Sequence, residues 1–118
     1  MRAMDGIVVP PDSDRVERGS GIFRVLAELP EFEMIDMRFG PGFEGVDLHM
    51  HEDHGDSFYV LEGEAEFTVG DEVVHAPPGT FVAAPAGVAH GFRNAGEGDL
   101  RVLNVHAPNT GWARRFHE

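Results

Sequence analysis

The feature that most restricts what this chain can fold into is its punctuation. Between Ile22 and His106, short apolar stretches are closed again and again by Gly, Pro, Asn or Asp, with 15 Gly and 8 Pro among 118 residues. Nine stretches read as strands: 22–27, 33–39, 46–50, 56–61, 65–69, 72–75, 80–84, 89–93 and 100–106. In 33–39 the alternation is clear, with Ile35, Met37 and Phe39 on one face and Met34, Asp36 and Arg38 on the other. Gly70-Asp71 is a two-residue hairpin signal. Short strands at this spacing, with almost no helical periodicity, predict an all-β sandwich or barrel. Residues 1–20 read as an extended arm with a short strand at 7–9. At the other end, Asn109 is placed to cap a short helical turn over 112–116.

Charge and composition remove several classes of function. The chain has 21 acidic and 9 basic side chains and a net charge of -12. Phosphate contacts need clustered Lys and Arg, so a nucleic-acid binder is not expected, nor is an anionic membrane surface a partner. Cysteine is absent, which removes disulfides, thiolate metal ligands and thiol nucleophiles. Every basic residue is Arg, so no lysine can form a Schiff base. No apolar run approaches the roughly 18 residues of a membrane helix. Asp5, Gly6 and Pro10-Pro11 break up any leader-like stretch, so the expected location is the cytoplasm.

The seven histidines carry the functional argument. His49 and His51 are two residues apart on a predicted strand, so both rings share a face about 6–7 Å apart along the chain. Two imidazoles at that spacing can converge on one metal ion. Acidic residues and another histidine follow at once in Glu52, Asp53, His54 and Asp56, and His90 opens a distant strand after the turn at 85–89. Such a donor set suits a divalent transition metal, one of Fe, Mn, Ni, Zn, Co or Cu. By strand phase Asp56, Phe58 and Val60 share the face of the site, as do His90, Phe92 and Asn94. Phe58, Val60, Phe92 and Asn94 are therefore the expected pocket lining. Val102, Asn104 and His106 share a face of the last strand.

These residues resemble the cupin family. Its first motif runs glycine, five residues, His-x-His, three or four residues, Glu, six residues, Gly. Here His49, His51 and Gly63 match, Asp56 stands at the carboxylate, and the leading glycine position holds Phe43 between Gly42 and Gly45. The second motif is matched throughout by Gly79, Pro85, Gly87, His90 and Asn94. The motifs span 42 to 94, and the flanking strands extend the likeness over about 33 to 107.

The resemblance implies a double-stranded β-helix, the jelly-roll cupin barrel, over 31–107. Residues 1–30 then form an arm and first strands, and 108–118 a tail with a short helical turn. It implies metal ligation by His49, His51 and His90, with Asp56 either a ligand or a residue that orients metal-bound water. His54 is the alternative ligand. Similar small cupins include dioxygenases, isomerases, epimerases, decarboxylases and lyases. The expected function is metal-dependent action on a small organic molecule, leaning to a dioxygenase-like oxidoreductase. The alternatives are a non-catalytic metal-containing binding module and a sugar isomerase or epimerase. A thiol dioxygenase with a cysteine–tyrosine crosslink is excluded by the lack of Cys. Outward-facing Met50, Tyr59 and Leu61 lead to the expectation of a homodimer.

Overall fold

The computed structural model describes residues 6–117, so the first five residues of the predicted arm lie outside it. Ten strands follow in order: β1 (Val16–Arg18), β2 (Gly21–Leu29), β3 (Phe32–Phe39), β4 (Val46–His49), β5 (Gly55–Glu62), β6 (Ala65–Val69), β7 (Glu72–Ala76), β8 (Phe81–Ala84), β9 (His90–Asn94) and β10 (Leu100–Ala107). A short 3-10 helix, Trp112–His117, follows. All nine expected strands are present with ends moved by a residue or two. The strand expected at 7–9 does not form; among the described residues the first strand begins at Val16, and Val8 is 91% exposed.

The strands form two antiparallel sheets, ordered β1-β2-β3-β10-β5-β8 and β4-β9-β6-β7. Their inner faces supply the core. Ile35, Met37 and Phe39 of β3 are buried, as are Phe58 and Val60 of β5, Phe67 of β6, Phe92 of β9 and Val102 of β10. Period-two alternation accounts for this, since one face of each strand has to leave water. The rings pack at angles as well as by area: Phe67 stacks on Phe92 at 5.2 Å, and Phe58 tilts against both. On the outer face of β3, Asp36 is buried by two guanidinium groups, with Arg24 at 3.1 Å and Arg101 at 2.8 Å. Arg24 also donates to the carbonyls of Pro10 and Pro11, which fixes the arm to the sheet.

The displaced motif glycine has a local cause. Phe43 stacks on Phe39 at 4.1 Å, and its carbonyl accepts the Asn94 N–H. The close approach falls to Gly45, with φ 108°, where an added Cβ would lie 1.9 Å from the Phe92 carbonyl oxygen. The turn thus keeps its glycine, two residues later.

Candidate metal centre

Sheet register brings the site together. In the four-stranded sheet His49 of β4 pairs with His90 of β9. In the six-stranded sheet His106 of β10 pairs with Glu33 of β3 on one side and Asp56 of β5 on the other. The first row faces the second across the barrel. His51 comes just after β4, where its carbonyl accepts the Gly87 N–H and ties its segment to the turn before β9.

One donor atom from each of His49, His51, Asp56 and His90 lies within 4.8 Å of every other. An ion with bonds of about 2.0–2.1 Å holds its donors some 3–4 Å apart, so a small inward movement of the half-buried His49 and His51 closes the set. The ring orientations suit ligation. His49 Nδ1 is 2.8 Å from the Asp47 carbonyl and His90 Nδ1 2.9 Å from the Val88 carbonyl, so each ring donates from Nδ1 and turns Nε2 inward. His90 Nε2 is then 2.9 Å from Asp56 Oδ2. An imidazole between two acceptors requires a cation in the second gap, either a proton or a metal ion. That requirement, with three imidazoles and one carboxylate, fits a divalent transition metal.

Asp56 is held from several sides. Asn104 donates to its Oδ1 at 2.6 Å, His106 Nε2 is 3.5 Å from the same oxygen, and His51 Nε2 is 3.8 Å from Oδ2. Burial pushes its pKa up, but the His90 bond, the His106 charge and the Asn104 bond outweigh that and hold it below the usual value. Burial and the neighbouring His54 and His49 push the His51 pKa down, which favours the neutral ring that metal ligation requires. His90 moves up, driven by the Asp56 bond against the opposing effect of burial. His54 stacks on His51 at 4.2 Å and is 2.8 Å from Asp53 Oδ1, so it lies beside the four-residue cluster rather than within it.

The cluster lies at the polar end of a cavity of about 680 Å³. His49, His51, His54, Asp56, Asn104 and His106 line that end, while Phe23, Met37, Phe39, Phe43, Phe58, Phe92 and Trp112 line the rest. Of the expected lining, Phe58 and Phe92 are in place. Val60 and Asn94 are not part of it. Val60 has no exposed surface and belongs to the core. Asn94 donates to the Gly40 and Gly98 carbonyls at 2.9 Å and accepts the Gly96 N–H, so it ties turns together instead. His90 does not line the cavity either; 2% exposed, it packs on His49 with ring centroids 4.3 Å apart and reaches the site through Asp56.

Sequence reasoning passed over Glu33, Thr110 and Trp112, and it placed Asn104 and His106 on one face without a role. Glu33 is fully buried and stands in phase with Ile35, Met37 and Phe39, an inward carboxylate that strand parity alone could have flagged. Its pKa falls to about 2: burial opposes the shift, and bonds from the Thr110 hydroxyl, the Ala113 and Thr110 N–H groups and His106 overcome it.

The sequence profile of the cupin domain family matches residues 35–106. An uncharacterized protein of Streptomyces coelicolor is 47% identical over 51 residues, covering 43% of this chain and 48% of that protein. Quercetin 2,3-dioxygenase of Bacillus subtilis is 27% identical over 85 residues, covering 70% of this chain and 25% of the enzyme. The chain thus spans between a quarter and about half the length of these relatives. Among solved structures, KdgF from Halomonas sp. superposes with a TM-score of 0.83 at 21% identity, covering 93% of this chain and 99% of that one, a likeness of fold.

Proposed function

The chain belongs to the cupin family, and from that premise we propose that it is a metal-dependent cupin acting on a small organic molecule in a dioxygenase-like reaction. The observation that carries this reading is a cluster of three imidazoles and a carboxylate of which His49, His51 and Asp56 line the polar end of a cavity of about 680 Å³ walled by aromatic side chains. Catalytic sites combine a ligand set of this kind with room for a further ligand. His49, His51, His90 and Asp56 would hold the ion. When bound, it would supply Lewis-acid polarisation of a ligand oxygen and, if redox-active, electron exchange with dioxygen. The chain's own residues do the rest. The Asp47 and Val88 carbonyls fix ring orientation, Asn104 and His106 steady Asp56, and the phenylalanines keep water from the ligand.

The likeness to quercetin 2,3-dioxygenase supports the oxygenase reading over a sugar isomerase, as does the aromatic lining, which offers a sugar few hydrogen-bond partners. Purified protein should contain about one transition metal per chain by plasma mass spectrometry. Loaded separately with Fe, Mn, Ni and Co, at least one form should consume oxygen when aryl enols or phenols are added. Ligand binding without oxygen uptake in any metal form would make it a binding module. We further propose a homodimer, supported by Tyr59 and Phe81, cross-strand partners on β5 and β8 that are 39% and 63% exposed. Light scattering at high micromolar concentration should give twice the 12.9 kDa chain mass; a monomer would remove the dimer alone.

A further inference from the structure

The tail beyond β10 presents one ring to the cavity. The Asn109 N–H donates to the Pro30 carbonyl at 3.2 Å, and Glu33 accepts the N–H groups of Thr110 and Ala113 at 2.9 Å. Within the tail, Asn109 Oδ1 accepts the Gly111 N–H at 2.7 Å and Thr110 Oγ1 accepts the Trp112 N–H at 3.1 Å. Each main-chain donor from 109 to 113 is thereby committed, which fixes where Trp112 stands. The indole is then held by its own tail. The Arg115 guanidinium lies over one face at 4.8 Å while donating to the Trp112 carbonyl at 3.0 Å. Phe116 meets the indole at 80° with centroids 5.0 Å apart and stacks on Phe23 at 4.5 Å. Phe116 is buried outside the cavity lining, whereas Trp112 and Phe23 belong to it. Trp112 continues a chain of rings: it contacts Phe23 at 6.3 Å, Phe23 contacts Phe39 at 5.9 Å, and Phe39 contacts Phe43 at 4.1 Å and Phe92 at 5.7 Å. All five line the cavity, so the tail extends an aromatic wall that the two sheets begin.

We propose that Trp112 is a specificity residue of this cavity, holding a planar aromatic ring of the ligand against its indole, and that Phe116 behind it is a positioning residue. The inference rests on the cavity being the small-molecule site and names the class of ligand it takes. Ring-on-ring contact adds a preference that buried area does not supply, because the negative face of one ring meets the positive edge of the next. A saturated ring of the same carbon skeleton carries more C–H surface, so burial alone ranks it ahead of its aromatic counterpart. An aromatic preference therefore reports the rings of the wall and not the volume they enclose. Arg115 occupies one indole face, which leaves the ligand the other face and the edge. Because the tail is already ordered by its hydrogen bonds, binding has no tail to immobilise.

A matched pair of probes isolates the ring: acetophenone and cyclohexyl methyl ketone, which carry the same carbonyl group. Both are titrated by calorimetry into the protein as purified and again after chelation. The unaltered protein should bind acetophenone at least about threefold tighter in both states, since one ring contact is worth a factor of about two to ten. Trp112→Leu should bring the two affinities together while cyclohexyl methyl ketone still binds, and Trp112→Phe should restore part of the preference. Phe116→Leu should lower the preference too, and should shift the emission of Trp112, the chain's one tryptophan, to longer wavelength. Equal affinity of the two probes for the unaltered protein overturns the proposal without any variant. A preference that survives in Trp112→Leu, or a parallel loss of both probes, overturns it as well, and so does a preference that disappears on chelation, which would assign the ring to the metal centre. Metal content and oxygen uptake of the same samples test the metal reading separately. A preference carried by Trp112 in a chain that takes up no metal sinks that reading alone, and a metal-loaded, oxygen-consuming chain without the preference sinks the wall alone.

Discussion

His90 and Asp56 face each other with Nε2 and Oδ2 2.9 Å apart, while the other nitrogen of the same ring is committed to the Val88 carbonyl. The two residues come from different sheets, and burial leaves 2% of His90 and 4% of Asp56 exposed. Without metal, a proton has to bridge them. With metal, the ion replaces that proton, so metal binding and the protonation of His90 compete.

The competition fixes the pH dependence of metal stabilisation. The His90 pKa is raised above its ordinary 6.5. Its contribution to the metal-free fold is therefore complete below that value and is lost as pH rises through the folded pKa. Metal needs the deprotonated ring, so its effect runs the other way. The increase in Tm caused by saturating metal should grow from pH 6 to pH 8. A shift of equal size at both values would contradict the competition.

Glu33 ties β3 to the tail, so its removal should loosen both. Glu33→Gln replaces one acceptor oxygen with a donor amide facing buried donors, at a cost of about 2–3 kcal/mol. The pKa of about 2, against an ordinary 4.5, adds a sign. The carboxylate stabilises the fold fully above about pH 4.5, and that contribution fades as pH falls toward 2. Urea unfolding at pH 7 and pH 3 should show the gap between wild type and Glu33→Gln narrowing at the lower pH. An unchanged gap would mean that Glu33 is not held as an anion.

Two glycines with similar backbone angles separate strain from crowding. Gly45 and Gly79 have φ of 108° and 92°. An added Cβ at Gly79 meets nothing within 4 Å, whereas at Gly45 it would lie 1.9 Å from the Phe92 carbonyl oxygen. Gly79→Ala should cost about 1 kcal/mol. Gly45→Ala has to move β9, which carries His90, and should cost more than about 3 kcal/mol and weaken metal binding as well. Equal losses in chemical denaturation would show that the shifted turn does not need its glycine.

Much of this arrangement is legible in the sequence. The strands are short, apolar on alternate positions and bounded by turn residues, so their number and facing could be read locally. His49, His51, Asp56 and His90 stand at spacings that a resemblance to a known family singles out. What the sequence withholds is pairing. Nothing local says that His106 lies opposite both Glu33 and Asp56, because that depends on which strands β10 joins. Asn94 shows the opposite limit: it shares strand parity with His90, yet the turns at 40 and 98 claim its side chain. Parity assigns a face, and at the end of a strand the nearest loop decides what that face meets.

The most direct test of the central claim is metal titration by calorimetry at one pH on the wild type, His90→Ala, Asp56→Ala and Asp56→Glu. The account predicts one ion per chain for the wild type and no stoichiometric binding for His90→Ala. Asp56→Ala leaves three imidazoles to hold the ion and should bind about 10–100-fold more weakly. Asp56→Glu should retain binding where the longer carboxylate fits between His90, Asn104 and His106. Complete loss in Asp56→Ala would make Asp56 an obligatory ligand. Full affinity in His90→Ala would contradict the assignment of the metal centre.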